Sequence, residues 1–153
     1  MKYISLFSKE QVKVDDEDYE ELSKHTWYLV QGYARKYDKD GHGTYMHREL
    51  NKTPKGFVTD HINGNKLDNR KSNLRNATVS QNGANSVKRT GCASKYKGVS
   101  FHRPYNKWKA RITINQKEVF LGYHEDEVDA AIAYIQAVTY YQGDFAKVDM
   151  SGF

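Results

Sequence analysis

The sequence predicts an α+β protein with a β-rich N-terminal part and a small C-terminal sheet that one helix covers on one face. Two observations support this class. Short apolar stretches that are typical of strands, such as YISLF, VKV, TWYLV and YARKYD, dominate residues 1–50. The C-terminal part changes from strict alternation in WKARITI to a helical stripe in EDEVDAAIAYIQAVTYYQG. A chain of 153 residues has room for one compact domain or two very small ones.

One small helix is expected among the N-terminal strands, in DDEDYEELSKH. We expect Asp15, Asp16, Glu17 and Asp18 to cap it, because negative charge at a helix N-terminus interacts favourably with the macrodipole. The segment KDGHG, between YARKY and TYMHREL, carries the glycines of a hairpin connection. These residues therefore predict a β-hairpin at this point.

The stretch from residue 51 to residue 89 is rich in Asn, Asp, Gly, Lys and Arg and has few large apolar residues. Such a composition is typical of loops or disorder, so we expect another part of the chain to stabilise it. The run VKRTGCAS has small residues and no periodicity, and we interpret residues 89–94 as a linker.

The C-terminal part begins with a strand in WKARITI and a second strand in VFLGY, after a short turn at NQK. Alternation predicts that the first strand buries Trp108, Ala110, Ile112 and Ile114. The helix that follows has acids in its first turn and a glycine after its last. Its predicted buried stripe consists of Val128, Ala131, Ile132, Ile135 and Val138.

Charge is sorted along the chain. Residues 61–117 hold thirteen basic residues and one acidic residue, whereas residues 118–153 hold one basic and seven acidic residues. If the helix covers one face of the sheet, the other face presents a set of cations to solvent. Small sheets fit the DNA major groove, where Arg and Lys reach guanine edges and phosphates. The predicted cations of this face are Lys97, Arg103, Lys109, Arg111 and Lys117.

Cysteine content and hydropathy exclude several classes. Cys92 is the only cysteine, which excludes an internal disulfide and a paired-thiolate zinc site. No stretch approaches the roughly 20 apolar residues that span a bilayer, and the N-terminus lacks a signal peptide pattern. We therefore expect a soluble, cytoplasmic protein that does not bind membranes or a small-molecule cofactor.

The segment from Thr59 to Asn85 carries the chemistry. Asp60 offers a hard oxygen ligand for Mg²⁺ or a similar cation, and His61 offers a base tuned to near-neutral pH. The Asn-Gly pair after them favours a turn. An EF-hand is excluded because its ligand positions, counted from Asp60, fall on apolar, glycine and lysine residues. A turn-rich loop without a ligand and a basic phosphate-binding loop without hydrolysis stay open.

The same segment resembles the ββα-metal core of HNH endonucleases of the phage and intron-associated branch. The pattern residues are the Asp-His pair at 60–61, Asn73 in SNLR and an Asn on the following helix. A spacing of 22 residues from Asp60 fits Asn82 better than Asn85. The likeness extends upstream through VDDEDYEEL and MHREL, and it implies a nuclease domain over residues 1–88.

The resemblance implies a one-metal mechanism in which Asp60 and Asn82 hold Mg²⁺ or Mn²⁺ against the scissile phosphate. His61 would deprotonate the attacking water, and Asn73 would fix the His61 backbone by hydrogen bonding across the loop. We interpret His47 as structural. For Arg75, contact with phosphate and simple solvation of the surface stay open.

The C-terminal part resembles the plant Apetala-type, or ethylene-response-factor, DNA-binding domain through YKGVS, WKARI, FLGY, DAAIAY and QGDFA. This resemblance implies a domain over residues 95–153, with three antiparallel strands in the major groove and a helix behind them. Where that family contacts DNA, this chain has Lys97, His102, Arg111 and Phe120. Ser100 and Thr113 stand where the family often has Arg, so base preference does not carry over.

These patterns together predict a divalent-metal-dependent DNA endonuclease with a C-terminal domain that binds duplex DNA. A DNA-binding regulator that retains the nuclease fold without activity is the first alternative. An RNA-binding module, in which some of the twelve tyrosines stack on bases, is the second.

Overall fold

The computed structural model describes residues 1–86 and 91–148. The chain divides into two compact units, Met1–Thr78 and Val79–Phe153. The division of function into a nuclease domain over 1–88, a linker over 89–94 and a DNA-binding domain over 95–153 stays a prediction. Residues 89 and 90 of that linker lie outside the described residues. Among the described residues, no helix is both long and apolar enough to cross a membrane.

The first unit contains three small antiparallel sheets, which pair β1 with β2, β3 with β4 and β5, and β6 with β7. Two helices lie between them in the sequence. The elements are β1 (Lys2–Ser5), β2 (Gln11–Val14), α1 (Asp16–Ser23), β3 (Tyr28–Val30), β4 (Tyr33–Tyr37), β5 (Gly43–Tyr45), α2 (Met46–Asn51), β6 (Val58–His61) and β7 (Leu74–Ala77).

One apolar cluster forms the core of the first unit. Trp27 is its largest member, and the indole N–H is satisfied because Nε1 donates to the carbonyl oxygen of Leu22 at 2.8 Å. Burial of an aromatic side chain stabilises a fold by about 2 kcal/mol or more, provided that its polar atom finds a partner. The cluster consists of Ile4, Leu6, Val12, Val14, Leu22, Trp27, Ala34 and Met46.

The N-terminal strands and α1 support the polar stretch that precedes β7. The backbone of Lys13 in β2 donates to Leu67 and accepts from Asn69, both at 2.8 Å. Asp15 accepts from the backbone N–H of Lys71 at 2.8 Å. The expected stabiliser of this stretch is therefore β2 together with the start of α1.

That contact corrects one prediction about α1. Asp16, Glu17 and Asp18 occupy the first turn, as predicted, but Asp15 makes no side-chain cap bond. Its carboxylate instead accepts a hydrogen bond from the backbone N–H of Lys71, 56 positions further along the chain. Lys71 also forms ion pairs with Glu17 and Asp18 through its ammonium, so most of this acidic group holds the loop as well as the helix end.

The second unit has the predicted small sheet and long helix. A three-stranded antiparallel sheet has the order β8–β9–β10, and α4 packs on one of its faces. A short helix comes first. The elements are α3 (Val79–Asn85), β8 (Val99–His102), β9 (Lys107–Ile114), β10 (Lys117–His124) and α4 (Glu127–Gln142).

The buried face of α4 differs from the predicted stripe. Ala131 and Val138 are buried as expected, but Ile132 is 40% exposed, and Ala130 and Tyr134 are buried instead. Small alanines let the helix lie close to the sheet, and Tyr134 fills the space over Gly98, where a Cβ would lie 2.0 Å from its ring. The buried face of α4 is therefore rotated about the helix axis relative to the stripe that the large apolar residues predicted.

Candidate nuclease site

The hairpin of β6 and β7 carries the Asp-His pair at its end. Asp60 is opposite Arg75, and His61 is opposite Leu74. The chain turns immediately afterwards, where the N–H of Gly64 donates to the carbonyl of His61 at 2.8 Å. The predicted turn is present, and Asp60 and His61 are both buried, with exposures of 3% and 5%.

Asn73 ties the two ends of the loop between these strands together. Its side-chain amide donates to Asn63 Oδ1 at 3.0 Å and to the carbonyl of Asp68 at 2.8 Å. Its Oδ1 accepts from the backbone N–H of Asn63 at 3.0 Å, and its own carbonyl accepts from Ile62 at 2.9 Å. Asn73 therefore fixes the backbone that directly follows His61, and its orienting role in catalysis stays a prediction.

A second buried polar pair lies in this loop, and the sequence analysis did not single it out. Asp68 accepts two hydrogen bonds from the guanidinium of Arg70, at 2.8 and 2.7 Å, and one from the Asn63 amide at 3.0 Å. The Arg70 hydrogen bonds hold the pKa of Asp68 below its ordinary value. The acid and base in LDNR, two residues apart, were the signal for this pair.

The tautomer of the neutral His61 ring follows from its hydrogen-bond partner. His61 Nε2 lies 3.0 Å from Asn69 Oδ1, and the Asn69 amide nitrogen points at Met46 Sδ at 3.6 Å. Because a carbonyl oxygen only accepts, Nε2 carries the proton of the neutral ring. The lone pair of the neutral imidazole is therefore on Nδ1.

Burial lowers the pKa of His61 below its ordinary value, and the Asn69 hydrogen bond and the nearby carboxylates of Asp60 and Asp68 oppose this shift. A lowered pKa leaves the ring neutral at neutral pH. This is the form in which an imidazole accepts a proton.

Aromatic rings surround His61 on another side. The ring centroids of His47 and His61 are 5.3 Å apart, and Tyr33 lies 4.9 Å from His47 and 5.9 Å from His61. Tyr45 stacks on His47 at 5.4 Å. Burial lowers the pKa of His47 to about 4, with added effects from His61 and Arg48. His47 is thus a neutral packing ring beside His61 at neutral pH.

Asp60 is paired across the hairpin. Its Oδ2 accepts from Arg75 Nε at 2.8 Å, and both side chains are largely buried. Arg75 is therefore not the solvated surface residue that one of its two predictions made it. The other prediction, contact with a phosphate, stays open. A carboxylate oxygen suits a hard divalent cation, so Asp60 has the donor chemistry that a metal would need.

Asn82, the other predicted metal ligand, lies on α3 in the second compact unit and is exposed. Asn85, the alternative ligand, is buried with an exposure of 7%. The first unit brings together Asp60, His61 and Asn73. The contribution of Asn82 depends on its sequence spacing and stays a prediction.

Lys97 holds the end of α3. Its ammonium donates to the carbonyls of Gly83, Ala84 and Ser86 at 2.5, 2.8 and 2.7 Å. Burial lowers the pKa of Lys97 to about 8, and the charge of Lys147 adds to this effect. These carbonyls lie at the C-terminal end of α3, whose last turn has no basic residue. Lys97 supplies the positive charge that favours such a helix end. This placement disfavours the predicted DNA contact of Lys97.

The cations predicted on the sheet are partly neutralised by an acid that the sequence analysis missed. Glu118 of β10 accepts from Lys109 at 3.0 Å and from Arg111 at 2.5 Å. These two contacts lower the pKa of Glu118 below its ordinary value. Arg103 and Lys117 are exposed. The outer face of the sheet is thus less positive than the count of its cations suggests.

A group of three potential ligands lies elsewhere in the first unit. Among the described residues, Asp38, Asp40 and His42 bring their ligand atoms within 4.8 Å of one another, and all three are exposed. Asp38 Oδ1 accepts from the backbone N–H groups of Asp40 and His42 at 3.0 and 2.8 Å. These bonds shape the hairpin connection between β4 and β5, which accounts for the cluster.

Comparison with known proteins places the Asp-His hairpin in a family context. Residues 50–84 match the sequence profile of the HNH endonuclease family. This HNH match spans β6, the asparagine-rich loop, β7 and most of α3. A protein of Acanthamoeba polyphaga mimivirus, named as an uncharacterized HNH endonuclease, is 41% identical over 71 residues, which are 42% of this chain and 37% of that protein.

The chain therefore spans little more than a third of this viral relative. The matched part of this chain is therefore similar to HNH endonucleases. Within residues 1–86 and 91–148, the mixed α/β character, with small sheets and four α-helices, agrees with the predicted class.

Proposed function

We propose that this protein is a divalent-metal-dependent DNA endonuclease that hydrolyses phosphodiester bonds by a one-metal HNH mechanism. The observation that carries the proposal is the fixed imidazole of His61. Its Nε2 proton is held by Asn69, which leaves the lone pair on Nδ1, and it directly follows a buried carboxylate. This is the arrangement of a general base beside a metal ligand.

In the proposed reaction, His61 Nδ1 takes the proton of the attacking water. The Nε2–H bond to Asn69 then stabilises the imidazolium that forms, because a carbonyl oxygen accepts more strongly from a charged donor. Asp60 and Asn82 would hold the cation, Mg²⁺ or Mn²⁺. When bound, such a cation stabilises negative charge on the phosphate and on the leaving oxygen.

Asn73 acts in this proposal through the backbone. Four of its hydrogen bonds fix Ile62, Asn63 and Asp68, and they thereby limit the rotation of the strand end that carries His61. Arg75 has a second role. Its guanidinium pairs with Asp60 and gives the buried carboxylate a counter-charge before a cation binds.

The second unit is proposed to bind the DNA substrate through the outer face of its sheet, as an Apetala-type domain does. We assign this role to Arg103, Lys109, Arg111 and Lys117, with His102 and Phe120 beside them. Lys97 is left out, because its ammonium bonds the end of α3. Two weakly binding units in one chain raise the effective concentration of the second contact.

Cleavage of a supercoiled plasmid tests the proposal. We expect relaxed or linear products with Mg²⁺ or Mn²⁺ and none with a chelator. Asp60→Asn should abolish most of the cleavage, while Asp40→Asn, which removes a carboxylate of the exposed triad, should not. Intact plasmid at every salt concentration would refute the nuclease function, and equal cleavage by Asp60→Asn and the wild type would refute the metal site.

The ion pair of Asp60 and Arg75 favours a second candidate, a DNA-binding regulator without catalysis, because a neutralised carboxylate has less attraction for a cation. The two candidates predict opposite results. A regulator binds the plasmid and leaves it uncut, and its affinity is the same for the wild type and for Asp60→Asn.

A further inference from the structure

The outer face of the sheet in the second unit carries aromatic rings as well as cations. Residues directly opposite each other on neighbouring strands share one face. Phe120 is opposite Arg111, and Tyr123 is opposite Lys109. His102 is opposite Lys107. Their neighbours Ala110 and Ile112 belong to the core under α4, so these rings and cations all face away from the helix.

These three rings and Tyr105 form one connected cluster. Tyr105, in the connection between β8 and β9, has its ring centroid 4.9 Å from His102 and 4.9 Å from Tyr123. Tyr123 lies 5.0 Å from His102 and 5.0 Å from Phe120. We call His102, Tyr105, Phe120 and Tyr123 the aromatic platform.

The two outer rings of the platform are unusually accessible. Tyr105 is 61% exposed and Phe120 is 52% exposed, although each contacts the more buried Tyr123. Exposed apolar rings in contact with one another form a patch that gains free energy when a partner covers it. Cations lie at its border, with Lys109 Nζ 5.8 Å from the Phe120 centroid.

We propose that the aromatic platform binds single-stranded DNA by stacking its rings on unpaired bases. The inference rests on the proposed function for DNA as the ligand, and it adds a second binding mode of this face to the duplex binding proposed for its cations. A duplex presents base edges in its grooves and hides the ring faces, whereas an unpaired strand offers those faces for stacking. Exposed rings beside cations match a ligand that has flat apolar bases on a negative backbone.

Glu118 regulates this face in the proposal. It pairs with Lys109 and Arg111, the two cations nearest to Phe120 in the sheet register. Backbone phosphates that approach the platform compete with this carboxylate for the same two cations. Glu118→Gln therefore raises the affinity for single-stranded DNA and makes it more dependent on salt, because more cations are then available to phosphates.

Binding of a labelled oligothymidine to the full chain in the presence of a chelator tests the platform, since no cleavage then interferes. We expect Phe120→Ala and Tyr105→Ala each to weaken binding about tenfold, as the loss of one stacked ring typically does, with little change in the salt slope. Tyr140→Ala is the matched control, because Tyr140 is 83% exposed on α4, away from the platform. Its affinity should equal that of the wild type.

Three further measurements make the outcome decisive. Phe120→Leu keeps an apolar side chain and loses only the ring, so weaker binding by this variant separates stacking from loss of fold. A strand that carries 5-iodouracil should crosslink to Tyr105 or Phe120 under ultraviolet light. A duplex and an RNA of the same sequence should compete less well than the DNA strand.

Unchanged affinity of Phe120→Leu, or crosslinks only to other residues, overturns the proposal. If Phe120→Ala and Tyr105→Ala lose the same affinity for a duplex as for a single strand, the proposal is overturned in favour of groove binding. If RNA binds more tightly than the DNA strand and depends on the same rings, it is overturned in favour of an RNA-binding module. The plasmid assay separates this inference from the proposed function. A protein that cuts plasmid but binds oligothymidine independently of the rings refutes the platform alone, and one that binds through the rings without cutting refutes the nuclease alone.

Discussion

The loop between β6 and β7 and the outer face of the C-terminal sheet use polar groups in opposite ways. In the loop, Asp68, Asn69 and Asn73 are almost fully buried, and each is hydrogen bonded to a named partner. On the sheet face, rings and cations are exposed, and one carboxylate, Glu118, pairs with two of the cations. A buried hydrogen-bond network holds a side chain in one position, as a reacting group requires. Exposed side chains can instead adjust to a long ligand.

The largest expected effect concerns the base in the buried network. His61→Ala removes the proposed proton acceptor, and general-base catalysis typically contributes a factor of about 10²–10⁴. We expect the rate of plasmid cleavage to fall by that factor, while DNA affinity is unchanged. His42→Ala, which alters an exposed histidine, is the control. A cleavage rate of His61→Ala close to that of the wild type would show that the loop holds no base.

The pH dependence of stability tests the rings that support this base. The pKa of His47 is about 4 in the folded protein and about 6.5 in an unfolded chain, so the unfolded state binds more protons between these values. The free energy of unfolding therefore falls as the pH falls from about 6.5 towards 4, by about 3 kcal/mol from this residue. Denaturant unfolding at several pH values measures it. His47→Phe should flatten this pH dependence, and a profile identical to that of the wild type would contradict the burial of a neutral His47.

A somewhat smaller effect is expected for the amide that closes the loop. Asn73→Ala removes the side-chain partner of the part-buried N–H of Asn63 and of the buried carbonyl of Asp68, so we expect the free energy of unfolding to fall by about 2 kcal/mol. Asn76→Ala, at an exposed position with one side-chain bond to Asn51, should cost about 0.5 kcal/mol or less. Equal losses for the two variants in urea unfolding would mean that the loop is not a preorganised network.

The smallest expected effect belongs to the sheet face. Arg111→Ala removes a cation that already shares Glu118 with Lys109. We therefore expect DNA affinity to fall only a few-fold at moderate salt. The slope of log affinity against log salt concentration should change by less than the value for one phosphate contact. Arg103→Ala, at an exposed cation outside this pair, should cost more. A larger loss for Arg111→Ala than for Arg103→Ala would show that Glu118 does not weaken this part of the surface.

Local patterns in the sequence predicted much of this architecture. The Asn-Gly pair predicted the turn after His61. Alternation in WKARITI predicted the burial of Ala110 and Ile112, whereas Trp108 and Ile114 are only partly buried. Such features depend on neighbours in the chain. Both the three-stranded sheet and its helix are present, while the membership of this unit in the Apetala-type family stays a prediction.

The contacts that escaped prediction join residues that are distant in sequence or depend on strand register. Arg75 meets Asp60 because the hairpin register places them opposite each other. Asp15 bonds the backbone of Lys71 across 56 positions, which no local helix rule includes. Lys97 was assigned to DNA from a family position, although tertiary packing directs its ammonium to α3.

The ammonium of Lys97 bears on where this protein can be divided. The HNH match ends at residue 84, yet α3 belongs to the same compact unit as the sheet, and its last carbonyls depend on a side chain eleven to fourteen positions further on. A chain shortened at residue 88 would keep the seven-residue helix α3 but would lose the ammonium that bonds its last carbonyls. A helix of this length is too short to be stable alone. Truncation after residue 88 would thus remove the side chain that holds the end of the helix on which Asn82 lies. An exchange of C-terminal parts between relatives therefore requires a cut before Val79, so that α3 and the sheet stay together.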